Sequence, residues 1–136
     1  MNARAKAWGP AALWAAVVIA VSSIPRLRVP FATFSWADKL AHAGEYAVLG
    51  LLLAFGLTRD PATRNWRALL RLAAVVLAVA AFGGLDEWHQ SAIPGRDMSG
   101  WDWLADVLGG ALGATLGTWI RARRRAGPAA PEGGRG

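Results

Sequence analysis

The stretch Asp86–Asp106 reads DEWHQSAIPGRDMSGWDWLAD. It holds five acids, one Arg, one His and three Trp, and apolar runs adjoin it on both sides. ALLRLAAVVLAVAAFGGL (Ala68–Leu85) leads into it, and WLADVLGGALGATLGTWI (Trp103–Ile120) leads out. Two more such runs precede them, WGPAALWAAVVIAVSSI (Trp8–Ile24) and AHAGEYAVLGLLLAFGL (Ala41–Leu57). Each is close to the ~20 residues with which a helix, rising 1.5 Å per residue, crosses the hydrocarbon of a bilayer. A soluble bundle would need polar helix faces, and the first and third runs have almost none. The expected fold is therefore all-α, a bundle of four transmembrane helices over residues 1–124, with spans near 8–24, 41–57, 68–85 and 103–120.

The segregation of charge supports that reading. The chain is 54% hydrophobic and 18% charged, and its net charge of +6 comes from Arg residues flanking the apolar runs. Of the 15 Lys and Arg, eleven fall before the first run, between the second and third (reaching Arg71), or after the fourth; only Arg26, Arg28, Lys39 and Arg96 fall on the other side. The excess of positive charge in cytoplasmic loops then puts both termini in the cytoplasm. Basic residues so placed meet anionic lipid as readily as nucleic acid, and nucleic-acid binding is not expected. MNARAK followed by an apolar core has the outline of a signal peptide, but VSSIPRLRVP offers no small-x-small cleavage site. The first run is therefore expected to remain as a span of a multi-pass cell-membrane protein. The tail, residues 125–136, is rich in Pro and Gly and is expected to be disordered. With no cysteine, disulfides and thiolate chemistry are excluded.

The acids sort opposite to the bases. Asp38, Glu45, Asp86, Glu87, Asp97, Asp102 and Asp106 all belong to the outer ends, and only Asp60 and Glu132 to the cytoplasmic side. In the fourth run Asp102, Asp106, Gly109, Gly113 and Gly117 form one stripe at about 100° per residue. The glycines make a GxxxGxxxG face for a close neighbour helix. Carboxylates continuing that stripe should point at protein, since ionisable groups within spans sit in bundle interiors or wet cavities. Ser99-x-x-Asp102 has the pattern of a capping box, which accounts for Asp102 as well as a site would. Asp106 lies one turn deeper, beyond the reach of a cap.

In the second run Asp38, His42 and Glu45 share a face, with Tyr46 alongside. Asp38 also suits the start of a helix, where a carboxylate meets the positive end of the dipole. Asp86 and Gln90 share a face at i, i+4, which leaves Glu87 and His89 as solvated rim residues. SAIPGR reads as a tight turn built on Pro94-Gly95 and presenting Arg96, either to a substrate or to an acid in a structural ion pair. Trp88, Trp101 and Trp103 suit an interfacial aromatic belt.

The residues alone leave three readings. Asp38, His42, Glu45, Tyr46, Gln90, Arg96 and Asp102 are the binding candidates for an envelope lipid, a wall component or a partner protein. Asp86, Glu87, Asp106 and His42 are the acid–base candidates for a membrane-embedded enzyme. The same groups could instead be a buried network that fixes helix packing. Lipid is the one partner the composition itself implies. Mixed His and carboxylate ligands suit Zn or Mn, but the spacing carries no recognised metal signature, so the sequence assigns no metal and no cofactor.

DKLAHAGEYAVLGLLL (38–53), followed by GLDEWHQSAIPGRDMSGWDWLADVLGGALG (84–113), resembles the VanZ-like family of small membrane proteins. The shared pattern is DK-x-x-H with Tyr at the start of one span, DE-x-x-Q closing the next, a PGR turn, and an Asp-rich entry to a Gly-rich last span. Here it falls on Asp38, Lys39, His42, Tyr46, Asp86, Glu87, Gln90, Gly95, Arg96, Ser99, Asp102 and Asp106. The resemblance covers about Asp38 to Gly117 and implies a four-span membrane protein. Many relatives carry Asn in place of Asp106, which favours hydrogen bonding over an obligate carboxylate at that position. The founding member is linked to reduced susceptibility to the glycopeptide teicoplanin, a property not carried over to this chain.

Overall fold

The computed structural model describes residues 2–25 and 36–126, with the side chains of 125 and 126 excepted. Arg26, Arg28, Glu132, Arg135 and residues 127–136 of the expected disordered tail lie outside the described residues, as does the side chain of Arg125; the backbone of 125–126, expected to belong to that tail, continues α4 as helix. The described residues form four helices in sequence: α1 (Ala3–Ser22), α2 (Ala37–Arg59), α3 (Ala68–Gln90) and α4 (Gly100–Ala126). α2, α3 and α4 extend past their apolar runs, whereas α1 begins ahead of its run and ends at Ser22, two residues short of Ile24.

Three of the helices, α1, α2 and α3, are long and apolar enough to cross a membrane. That is the mark of a membrane protein. Large apolar side chains on them face outward, among them Leu13, Leu69, Leu77 and Leu85, each more than half exposed. In water such faces would far exceed the apolar patches a soluble monomer tolerates. At 27 residues α4 is also long enough. Its apolarity falls below that of the other three because Asp102, Asp106 and its glycines replace aliphatic side chains.

The helices run up and down, and the tightest pairing is α2 with α4. A Cβ built on Gly109 would strike the carbonyl of Ala43, one on Gly113 the carbonyl of Ala47, and one on Gly117 would sit 3.0 Å from Ala54 Cβ. On the facing helix, a Cβ on Gly50 would strike the carbonyl of Gly110. Two small-residue stripes therefore meet, Ala43-Ala47-Gly50-Ala54 on α2 and Gly109-Gly113-Gly117 on α4. Lipid offers no hydrophobic drive between helices, so this close van der Waals fit supplies much of their attraction. Around it Val18, Tyr46, Leu49, Leu57, Val75, Val79 and Ala114 form the apolar core.

At the end bearing most of the Arg residues, Asp60 ties α1 to α2. It accepts hydrogen bonds from Trp8 Nε1 (2.7 Å) and the Ala62 amide (2.9 Å), and Arg4 lies 3.8 Å away. These donors, Trp8 foremost, hold its carboxyl below the usual aspartate range. Arg71 closes the α2–α3 connection by donating to the Trp66 carbonyl at 2.6 Å.

At the opposite end, Ile93-Pro94-Gly95-Arg96 is a tight turn closed by the Arg96 amide on the Ile93 carbonyl at 3.1 Å. Gly95 has φ 79°, the left-handed value that the third position of a type II turn requires. Gly95→Ala should therefore cost about 1–2 kcal/mol, read as a lower melting temperature in detergent. An unchanged melting temperature would mean that the turn relaxes without strain.

Candidate functional site

Three helix ends deliver polar side chains to one place. From α2 come Lys39, His42 and Tyr46; from α3, Asp86, Glu87 and Gln90; from α4, Asp102 and Asp106; and α1 adds Ser22. The depth of burial is what sets this cluster apart: Asp106 is 0% exposed, Asp86 1% and Glu87 3%.

Asp86 is the most fully satisfied member. Its Oδ1 accepts from Ser22 Oγ at 2.6 Å, and its Oδ2 from Gln90 Nε2 at 2.9 Å and Tyr46 OH at 3.4 Å. The i, i+4 relation of Asp86 and Gln90 is thus a real hydrogen bond. Ser22, from the last turn of α1, is a partner that sequence reasoning missed. A serine beside a run of apolar residues carries no signal until the helices are packed.

Asp106 pairs with His42, Oδ1 to Nδ1 at 3.0 Å, which places the carboxylate of the α4 stripe against the polar face of α2 as their spacings imply. Its other oxygen, Oδ2, is buried without a hydrogen-bond partner. Asp102 reaches Lys39, Oδ1 to Nζ at 2.5 Å. The partnership of Lys39 had no signal in helical periodicity, because a long flexible side chain reaches across faces.

The capping of α4 departs from the expected box. Ser99 Oγ does accept from the Asp102 amide at 3.2 Å. The reciprocal bond, however, comes from another helix: the Ser99 amide donates to Glu87 Oε2 at 2.6 Å. Glu87 therefore replaces Asp102 in the second half of the cap and ties α3 to the start of α4. This overturns the reading of Glu87 as a solvated rim residue. Its neighbour Asp86 faces α1 and α2, while Glu87, about 100° around the helix, faces α4. Both directions are filled by protein because the end of α3 lies between those helices. Glu87 Oε1 is buried and unpartnered.

The remaining candidates lie at the margin. Asp38 is half-buried in the first turn of α2, whose N-cap is Trp36. Glu45 is half-buried, and its backbone carbonyl accepts from Trp14 Nε1 at 2.9 Å. His89 stands 2.9 Å from Ser23 Oγ. Arg96 does not pair with an acid among the described residues; its guanidinium donates to the Val21 carbonyl at 3.4 Å. Trp88 and Trp101 are more than 70% exposed, as an aromatic belt requires.

Chemically, the cluster offers a hydrogen-bonded His–Asp pair beside a carboxylate oxygen that has no hydrogen-bond partner among the described residues. Such an arrangement can accept a proton, a cation or a hydrogen-bond donor. Comparison of the chain with family models, with curated proteins and with solved structures finds no match.

Proposed function

We propose that this is a four-span protein of the cell membrane with both termini in the cytoplasm. Its polar end serves an accessory role in the envelope, binding a lipid headgroup, a wall component or a partner protein. The Lys and Arg distribution supports the orientation. The pairing of α4 with the spanning α2 supports a fourth span, as do Leu108, Leu112, Leu116 and Trp119, which remain exposed on α4 opposite its glycine face. The motif resemblance to the VanZ-like family agrees with this topology.

The observation that carries the binding role is a buried acid cluster with unpaired oxygens, at the same end of the bundle as exposed Trp88 and Trp101 and half-buried Arg96. A polar headgroup at the interface meets a cation and aromatic faces there, backed by acceptors.

The absence of native cysteine makes the topology directly testable. Ser91→Cys is expected to react with a membrane-impermeant maleimide in intact cells, and Ala62→Cys only after permeabilisation. The reverse pattern would overturn the orientation. For the ligand, native mass spectrometry of the purified chain with envelope lipids and wall precursors should show a retained species. Arg96→Ala should weaken that retention while leaving the fold intact. Equal retention by Arg96→Ala would remove Arg96 from the binding role.

A second reading is a membrane-embedded enzyme, and one observation favours it. Glu87 Oε1 is unpaired close to the His42–Asp106 pair, so candidate acid and base groups stand together with one carboxylate oxygen uncommitted. Conversion of a retained ligand to product, abolished by Glu87→Gln in a folded protein, would select this reading over simple binding.

A further inference from the structure

We infer that His42, Glu87 and Asp106 form a site for a divalent metal ion of the Zn2+ or Mn2+ type. The inference concerns the same buried oxygens as the proposed binding role, with the ion meeting them directly, and it holds whichever envelope ligand the protein binds.

Each of the three residues comes from a different helix, and each offers one ligand atom, all within 4.8 Å of one another. Ligands around a single Zn2+ lie about 2.0–2.2 Å from it and hence roughly 3–4.4 Å apart, so small side-chain shifts close the site. Proximity alone would carry little, because acidic clusters are common. Two further features point to a cation. Glu87 Oε1 and Asp106 Oδ2 are both buried with no hydrogen-bond partner, on side chains at least nine-tenths buried. Buried acceptors are almost always satisfied, and two orphans in one cluster require an explanation.

The second feature is charge. Among the described residues, no Lys or Arg lies within ion-pair distance of Asp86, Glu87 or Asp106. Lys39 is committed to Asp102. A divalent ion would balance this excess of carboxylates and occupy both orphaned oxygens. The supporting contacts suit a metal site as well: the Ser99 amide fixes Glu87 by the oxygen that does not ligate, as outer partners of metal ligands do.

A competing triad, Asp38, His42 and Asp102, shares His42. It is the weaker choice because the Lys39 ammonium already sits where a cation would neutralise Asp102. Three protein ligands leave a coordination position open, as in catalytic rather than structural zinc sites, and a water would fill it. The spacing of these ligands has no sequence signature because no two of them share a helix.

The test uses the full chain without a polyhistidine tag, purified in detergent, stripped with chelator and gel-filtered after equilibration with Zn2+ or Mn2+. Metal content per chain and thermal unfolding are measured together. The wild type should retain one ion per chain and melt higher with the metal than without it. Glu87→Gln and Asp106→Asn should each weaken binding roughly tenfold or more, since even outer-sphere changes can have that effect. Asp97→Asn, in the exposed loop, should bind as the wild type does. Failure of the folded wild type to bind either ion would overturn the site, as would undiminished binding by both ligand variants. Should those variants not fold, Co2+ bound to the wild type decides. Intense visible bands of a four-coordinate, imidazole-containing site support the assignment, and a weak spectrum like that of hydrated Co2+ overturns it.

Discussion

Gly113→Ile is expected to separate α2 from α4 and to destabilise the protein by about 3 kcal/mol or more. The reason is backbone, not side chain. A Cβ at this position falls on the Ala47 carbonyl and lies 2.9 Å from the Leu51 amide nitrogen. No rotamer change relieves such a clash, so the helices must part along the whole stripe. Parting them would also pull Asp106 from His42 and Asp102 from Lys39, because those pairs sit at the top of the same interface. Gly44 provides the control. It lies within α2 with nothing within 4 Å of a built Cβ. Gly44→Ala should therefore be neutral or stabilise by roughly 0.5–1 kcal/mol, the usual gain from replacing glycine inside a helix. Thermal unfolding followed by tryptophan fluorescence, with eight Trp in the chain, reads both. Equal melting of Gly113→Ile and wild type would show that α2 and α4 are not held by this stripe.

The second large effect belongs to Asp86, where two substitutions should differ sharply. Asp86→Leu strands two donors at once, those of Tyr46 and Gln90, in a site 1% exposed, while Ser22 falls back on the Ile19 carbonyl. At about 1–3 kcal/mol for each buried unsatisfied group, the loss should be about 2 kcal/mol or more. Asp86→Asn keeps an oxygen for Gln90 and Tyr46 and turns its amide toward Ser22. The Ser22 hydroxyl can then accept, because its own proton has another acceptor in the Ile19 carbonyl at 3.1 Å. The cost of Asp86→Asn should be about 1 kcal/mol or less. A melting temperature lowered equally by both variants would mean that the charge, not the hydrogen-bond pattern, stabilises this end. That outcome would also assign the cluster to architecture, since a removed charge would matter only if its partners depended on it.

Much of this arrangement was legible in the residues. The apolar runs predict helices wherever they occur, because a segment in hydrocarbon must satisfy its backbone internally. The stripe from Asp102 to Gly117 marks the buried face of α4 through spacing alone. Pro94-Gly95 predicts its turn because only a residue without Cβ adopts φ 79° freely. The depth of Asp106, one turn beyond the cap, similarly predicts burial. All of these are local properties, set by the helical period or by the conformational range of a single residue.

Other features depend on which helices become neighbours. The α2 stripe of Ala43, Ala47, Gly50 and Ala54 is unremarkable in sequence, since alanine is common throughout these runs; it becomes an interface only opposite the α4 glycines. Glu87 reads as rim on α3 alone, yet α4 brings the Ser99 amide to it. Ser22 and Lys39 acquire partners more than 60 residues away, and Arg96 finds a carbonyl of α1 in place of an acid. Sequence by itself determined the helices, the buried face of α4 and the end at which the acids gather. Tertiary structure alone decided the pairings and left two carboxylate oxygens unanswered, because hydrogen bonds and ligand sets between helices follow from packing distances that no single helix encodes.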